Sequence, residues 1–222
     1  MRELELPSMN NSQLKLVSFD LDGTILRGQI LNYAKIPEAL HRKISEHDAL
    51  FFGGERGYEE TLTAQFALFA GMKIEEIAPD PQKLPLIRDL DETLQRLDRV
   101  GVRCLILTDN PSFAAEPLRK VGFHDIIGSE VETSDGTLTD KMKLLTNKLE
   151  GLQEYCSQYG IELRSCAHVG DWTNDIVVFK AVGLSVAFNA SDESVSRAAT
   201  HTVNSESLLD VYRVLEPSLP RR

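Results

Sequence analysis

The residues best suited to chemistry in this chain are paired carboxylates. Asp20 and Asp22 stand two positions apart at the end of an apolar run (Leu14, Leu16, Val17, Phe19), and Gly23 follows them. Acids held that close repel, and each lifts the other's pKa unless a cation or a shared proton relieves them. A hard divalent cation such as Mg2+, which prefers oxygen ligands, supplies that relief. A second pair, Asp171 and Asp175, lies in Gly170-Asp171-Trp172-Thr173-Asn174-Asp175 behind another apolar run. Across a tight turn into a helix, these two are able to approach one ion. A helix N-terminus alone accounts for one such acid. Asp-Gly by itself is turn chemistry. The chain repeats Asp-Gly-Thr at 135–137 without the apolar run or the second acid, and there it reads as a hairpin turn.

Three buried strands must carry these groups. Residues 14–19 deliver Asp20, 102–107 deliver Thr108-Asp109-Asn110 with Pro111 at a helix start, and 165–169 deliver Asp171. Further strands are expected at 125–127, 184–188 and 201–203, with a hairpin over 130–139. Helices are expected at 87–100, 112–121, 141–159, 176–181, 191–199 and 205–214. Strands alternating with helices predict an α/β fold, a Rossmann-like doubly wound parallel sheet covered on both faces. Such sheets bind ligands in the crevice beyond the carboxyl ends of their strands.

Residues 28–86 change character. Helical spacing recurs over 58–70 (Leu62, Phe66, Phe69), and Phe51-Phe52-Gly53-Gly54 separates one helix from the next. The segment is too long for a plain connection in a compact domain. It is therefore expected to be a small helical cap inserted into a core formed by 1–27 and 87–222. Residues 1–11 read as a loose lead-in and 216–222 as a frayed tail.

The 222 residues suffice for one sound core plus an insertion. A net charge of −10 opposes binding to nucleic acid or an anionic membrane surface. The three cysteines, Cys104, Cys156 and Cys166, have no CxxC spacing, which argues against zinc and disulfides. With no apolar leader at 1–12 and no run able to span a bilayer, the expected setting is cytoplasmic. The oligomeric state is left open.

Taken in order, four stretches resemble the motifs of the haloacid dehalogenase superfamily. Phe19-Asp20-Leu21-Asp22-Gly23-Thr24 resembles the first, and Thr108, behind its strand, the second. Lys148 resembles the phosphate-holding lysine, with Lys141 and Lys143 as rivals, and the 170–175 string resembles the last motif. The continuation through 181–190 is similar to the phosphoserine-phosphatase-like branch, which carries a helical (C1-type) cap. The resemblance implies that Asp20 attacks phosphorus to form an aspartyl-phosphate. It implies that Asp22 serves as general acid and then base. Thr108, Lys148 and Asn174 would hold the phosphoryl oxygens. Mg2+ would be held by Asp20, the backbone carbonyl of Asp22 and Asp171, with Asp175 acting through water.

Where the chain departs from that branch, the departures bear on substrate. Relatives carry a Glu for the substrate's amino group where Gln29 stands here, and a cap Arg that residues 58–66 lack. The resemblance therefore implies Mg2+-dependent hydrolysis of a small phosphorylated metabolite other than phosphoserine. Gln29, Asn110 and Trp172 are the candidate pocket residues. Trp172 replaces a small residue and either shapes the pocket or packs against the cap. The alternatives are phosphotransfer through the same intermediate, and a non-catalytic phosphate-ligand binder.

Overall fold

The computed structural model describes residues 13–221, so the expected lead-in at 1–11 lies outside the described residues. β1 (Leu16–Phe19) is buried along its whole length. On one side it pairs with β2 (Arg103–Pro111), which pairs with β3 (Asp125–Ser134) and that in turn with β4 (Thr137–Lys143). On the other side stand β5 (Cys166–Gly170), β6 (Leu184–Phe188) and β7 (His201–Val203). Every pairing is parallel except β3 with β4. The chain leaves β1 toward β2 and later returns to β5 on the opposite side. The strand order thus reverses at β1, which opens a crevice at its carboxyl end.

Period-two alternation feeds both faces of the sheet. Val17, Phe19, Cys104 and Ile106 pack with Leu90, Leu94 and Leu97 of α4 (Leu90–Arg99) and with Val211 of the closing helix, Leu209–Leu215. Leu16, Leu105 and Leu107 pack on the other face with Leu152 and Tyr155 of α6 (Lys148–Tyr159) and Val178 of α7 (Ile176–Phe179). Each fully buried Leu contributes roughly 2 kcal/mol, so the sheet and its two covering layers fix β1 rigidly.

Between β1 and α4 lie α1 (Glu38–Phe52), α2 (Tyr58–Ala67) and α3 (Ile74–Ile77), with 3-10 turns at Ile30–Tyr33 and Pro81–Lys83. Gln65 of α2 donates to Ile44 O (3.3 Å) and to Asp48 Oδ1 (2.7 Å), joining α2 to α1. Ile44, Leu62, Phe66 and Phe69 belong to the same apolar cluster as β1, and Phe69 meets Phe113 of α5 (Ser112–Ala115) edge-on at 5.7 Å.

Several expected bounds move. The helix expected over 141–159 begins only at Lys148, because Met142 and Lys143 continue β4 and pair with Val131 and Glu130. The helix expected over 112–121 is the single turn α5 followed by a 3-10 stretch, Glu116–Val121. Pro117 has no N–H to continue an α-helix there. The tail is not frayed: Leu219 is buried and Ser218 O accepts from Leu14 N at 2.9 Å. The Asp135-Gly136 hairpin turn stands as expected, with φ of 49° and 75° at its two central residues. Those values suit a two-residue turn of the primed type. Cys104, Cys156 and Cys166 are all free and buried.

Candidate active site

Three neighbouring strands deliver acids to one place. β1 ends at Asp20, whose N–H donates to Val169 O of β5 at 2.8 Å, so the two strand ends lie level. Asp109 and Asn110 come from the end of β2, and Asp171 and Asp175 follow β5. Carboxylate oxygens of Asp20, Asp171 and Asp175 all lie within 4.8 Å of one another.

Lys148, the first residue of α6, is buried among them. Its Nζ donates to Asp20 Oδ1 and to Asp175 Oδ1, each at 2.6 Å. Asn147 sets this start by accepting from Leu149 N through its side chain, so α6 begins with Lys148 against the site. The rivals fall away, since Lys141 and Lys143 lie on exposed β4.

Asp175 is occupied on both oxygens. Oδ2 accepts from the N–H groups of Asp171 and Trp172, each at 3.1 Å, and Oδ1 faces Lys148 and, at 3.1 Å, His168 Nε2. Behind it the His168 Nδ1 meets Ser18 Oγ at 2.8 Å. Asp175 therefore shapes the Asp171 loop from beneath. Asp171 itself accepts from Thr24 Oγ1 at 2.9 Å. Two glycines permit this closeness. A Cβ on Gly23, whose φ is +82°, would sit 2.2 Å from Asp171 Oδ2, and one on Gly170 would sit 2.2 Å from Asp175 Oδ2.

Asp22 is held apart from this cluster. Its carboxylate accepts from Ile30 N (2.8 Å) and Asn110 Nδ2 (3.0 Å). Thr108 is buried in β2, where its Oγ1 accepts from Asn110 N (3.2 Å) and Nδ2 (3.1 Å). Asn174 donates to Asp109 Oδ2 at 2.8 Å, and its own buried Oδ1 has no partner among the described residues.

The electrostatics follow from one buried ammonium facing several buried carboxylates. Burial raises the carboxyl of Asp20 well above its ordinary range, although Lys148 opposes the shift. Asp22 is pushed up to about 7, chiefly by burial and against the pull of the Ile30 N–H. Asp171 is raised to about 6 by burial, with Thr24 opposing. Asp109 is raised by burial as well. Burial also works against the Asp175 anion, but Lys148 and then His168 hold its carboxyl below the usual range. Burial lowers His168, which keeps that imidazole neutral.

A cavity of about 320 Å3 opens from Asp20 toward α1 and α2. Gln29, Asn110 and Trp172, expected in the pocket, all line it, as does Asn174. Trp172 does both things the sequence left open, because it also packs edge-on against Phe52 of α1 at 6.2 Å. Asp109, His168 and Asp48 belong to the site but are not among the residues that the motifs single out. Asp109 carried a usable signal, being an acid at a strand's carboxyl end just as Asp20 is. His168 and Asp48 carried none, since each looks like an ordinary strand or helix residue.

Known proteins share this sequence pattern and fold. The chain is 28% identical over 201 residues to phosphoserine phosphatase SerB2 of Mycobacterium tuberculosis, covering 85% of this chain and 49% of that protein. It is 24% identical over 211 residues to the phosphoserine phosphatase of Archaeoglobus fulgidus, covering 93% of this chain and 61% of the relative. The chain thus spans about half to three fifths of the length of these curated relatives. A solved substrate-bound phosphoserine phosphatase complex shares the fold, with a TM-score of 0.72 over 91% of this chain and 98% of that one at 21% identity. Residues 14–183 match the haloacid dehalogenase-like hydrolase family, so the chain belongs to that family.

Proposed function

We propose that this chain hydrolyses a small phosphomonoester with Mg2+, through an aspartyl-phosphate on Asp20, and that its substrate is not phosphoserine. One observation carries the reading: Lys148 bridges the buried Asp20 and Asp175, with Asp171 beside them, while the Asp22 carboxyl is held separately by the Ile30 N–H and the Asn110 amide and is pushed up to about 7 by burial. A carboxylate meant only to bind metal has no use for a neighbouring acid poised near neutrality.

Asp20 attacks phosphorus in line, and the P–O bond to the alcohol breaks as the new P–O bond to Oδ forms. Asp22 gives its proton to the departing alkoxide, then takes one from the water that attacks the aspartyl-phosphate and frees Asp20. The Ile30 N–H and Asn110 amide fix its carboxyl for both transfers. Lys148 and the Thr108 hydroxyl neutralise and orient the phosphoryl oxygens, and Asn174 adds an amide at the rim. Asp109 accepts from the Asn174 amide and so orients it.

The donor set is all oxygen and fits a hard divalent ion. Asp20, Asp171 and the backbone carbonyl of Asp22 would hold Mg2+, with Asp175 acting through water. Bound there, Mg2+ supplies positive charge to the phosphoryl group. Residues 28–86 act as a cap that closes the cavity over the reacting centre. Three free thiols suit work in a reducing cytoplasm.

The relatives bear the name phosphoserine phosphatase, and one neighbouring structure is described as a phospho-aspartyl intermediate analogue of that enzyme, which supports the covalent route. Their amino acid substrate does not suit this cavity. No Lys or Arg among the described residues lines it, so a substrate carboxylate has no cation to meet. Arg56 is engaged by His47 and Glu60 instead. The test is hydrolysis of p-nitrophenyl phosphate with and without Mg2+. Asp20→Asn is expected to abolish the Mg2+-dependent rate, and activity retained by that variant overturns the nucleophile assignment. Phosphoserine turnover as fast as that of any other ester in a panel overturns the exclusion.

A further inference from the structure

The cavity wall away from Asp20 is built from aromatic rings and one acid. Tyr58 and Phe51 rings lie 5.4 Å apart, Phe51 and Phe52 5.2 Å, and Phe52 and Trp172 6.2 Å. This chain of rings runs from the start of α2 across the end of α1 to the Asp171 loop. Phe52 and Trp172 at the mouth are 63% and 37% exposed, so much ring surface faces water when the cavity is empty. Asp48 stands in the same wall. One of its oxygens accepts from the neutral amide of Gln65, and no Lys or Arg pairs with it among the described residues.

Ring faces attract cations, most strongly where water is excluded. A half-buried carboxylate hydrogen-bonded to a neutral amide, with only the His47 imidazole as a basic neighbour among the described residues, also favours a cation. The two features ask for the same ligand group. A neutral aromatic ligand would cover the rings and leave Asp48 unanswered. An anionic one would meet only aspartates, because every charged side chain among the described residues that line the cavity is an Asp. We infer that the alcohol part of the substrate is a small organic cation without a carboxylate, its ammonium group seated between Phe51, Phe52, Tyr58, Trp172 and Asp48. The inference rests on the phosphomonoesterase reading above, and it names the ester class. A cavity of about 320 Å3 accommodates an amino alcohol phosphate.

The experiment compares phosphocholine with its uncharged carbon isostere, 3,3-dimethylbutyl phosphate, and with phosphoethanolamine and phosphoserine. The isostere has the same shape, so the comparison isolates the charge. The expected result is a kcat/KM for phosphocholine or phosphoethanolamine about tenfold or more above the isostere. Asp48→Asn is expected to shrink that ratio severalfold. An isostere that is hydrolysed as well as the cationic esters overturns the inference, and so does a ratio unchanged by Asp48→Asn. Calorimetric binding of the same esters to Asp20→Asn protein with Mg2+ reads the preference without turnover, or to the unaltered protein with EDTA if the variant does not unfold cooperatively. Hydrolysis of p-nitrophenyl phosphate without a cation preference sinks this inference and leaves the hydrolase reading intact. A cation preference in binding with no hydrolysis of any ester does the reverse.

Discussion

Replacing Lys148 by Met tests the centre of the site. The Met side chain keeps the stem's bulk and removes only the charge. In the intact protein Lys148 Nζ lies 2.6 Å from both Asp20 and Asp175, and the three side chains are 1%, 7% and 0% exposed. Removing one partner of a buried ion pair costs about 3–5 kcal/mol, since the other charge is left buried and unanswered. For a chain of this length that is a fall of roughly 6–20 °C in Tm. The cost depends on pH in a known direction. Lys148 holds the folded-state pKa of Asp175 below its unfolded value, so this contribution is present above the unfolded pKa and is lost as pH falls through the folded one. In the variant His168 and the Asp171 and Trp172 N–H groups still favour the Asp175 anion, but the largest charge opposing burial is gone, so the Asp175 pKa rises and the folded state loses stability as pH increases. The gap between the two proteins is therefore expected to widen from about pH 5 to about pH 8. Urea denaturation with EDTA at both pH values measures it, and Mg2+ is expected to narrow the gap by supplying the missing positive charge. A gap under about 1 kcal/mol at the higher pH, or one that does not change with pH, would refute the reasoning. The same variant should lose about 100- to 1000-fold in kcat on p-nitrophenyl phosphate.

Mg2+ should stabilise the protein more at higher pH. Asp22 and Asp171 have folded-state pKa values raised to about 7 and about 6, so without metal their contributions are fully present below the unfolded value and are lost as pH rises through the folded ones. Mg2+ held by the Asp171 carboxylate competes with its proton, and calorimetry is expected to show a Tm increment that grows from acid to neutral pH; an increment larger in acid sinks the assignment. Gly170→Ala should drive a Cβ into Asp175, whose Oδ2 lies 2.2 Å from the position it would take, and cost about 1–3 kcal/mol with loss of activity. Gly57→Ala, with open space around it, is the matched control for stability, and equal effects at the two positions contradict the packing argument.

The acids nearest in sequence were legible because local rules govern them. A buried apolar run followed by Asp20-Leu21-Asp22-Gly23 specifies a strand end, a turn and two carboxylates with no help from the rest of the chain. The same holds for β5 and the 170–175 string, and strand–helix alternation gave the sheet. Bounds failed where a distant partner decided them. Residues 141–143 have helix-compatible types, but pairing with Glu130 and Val131 drew them into β4, and it is Asn147 that starts α6 with Lys148 facing the site. The prolines of the tail read locally as loose chain, yet Ser218 O accepts from Leu14 N, some 200 residues away. Only tertiary structure could reveal His168 behind Asp175, or Asp48 and the aromatic wall beside Trp172. The physical reason is that a side chain's periodicity records which face it occupies, whereas its chemistry depends on what the opposing element brings within a few ångströms. Local patterning made the strand ends and their carboxylates readable, whereas the packing of α1 and α2 decided which side chains line the cavity beside Asp20.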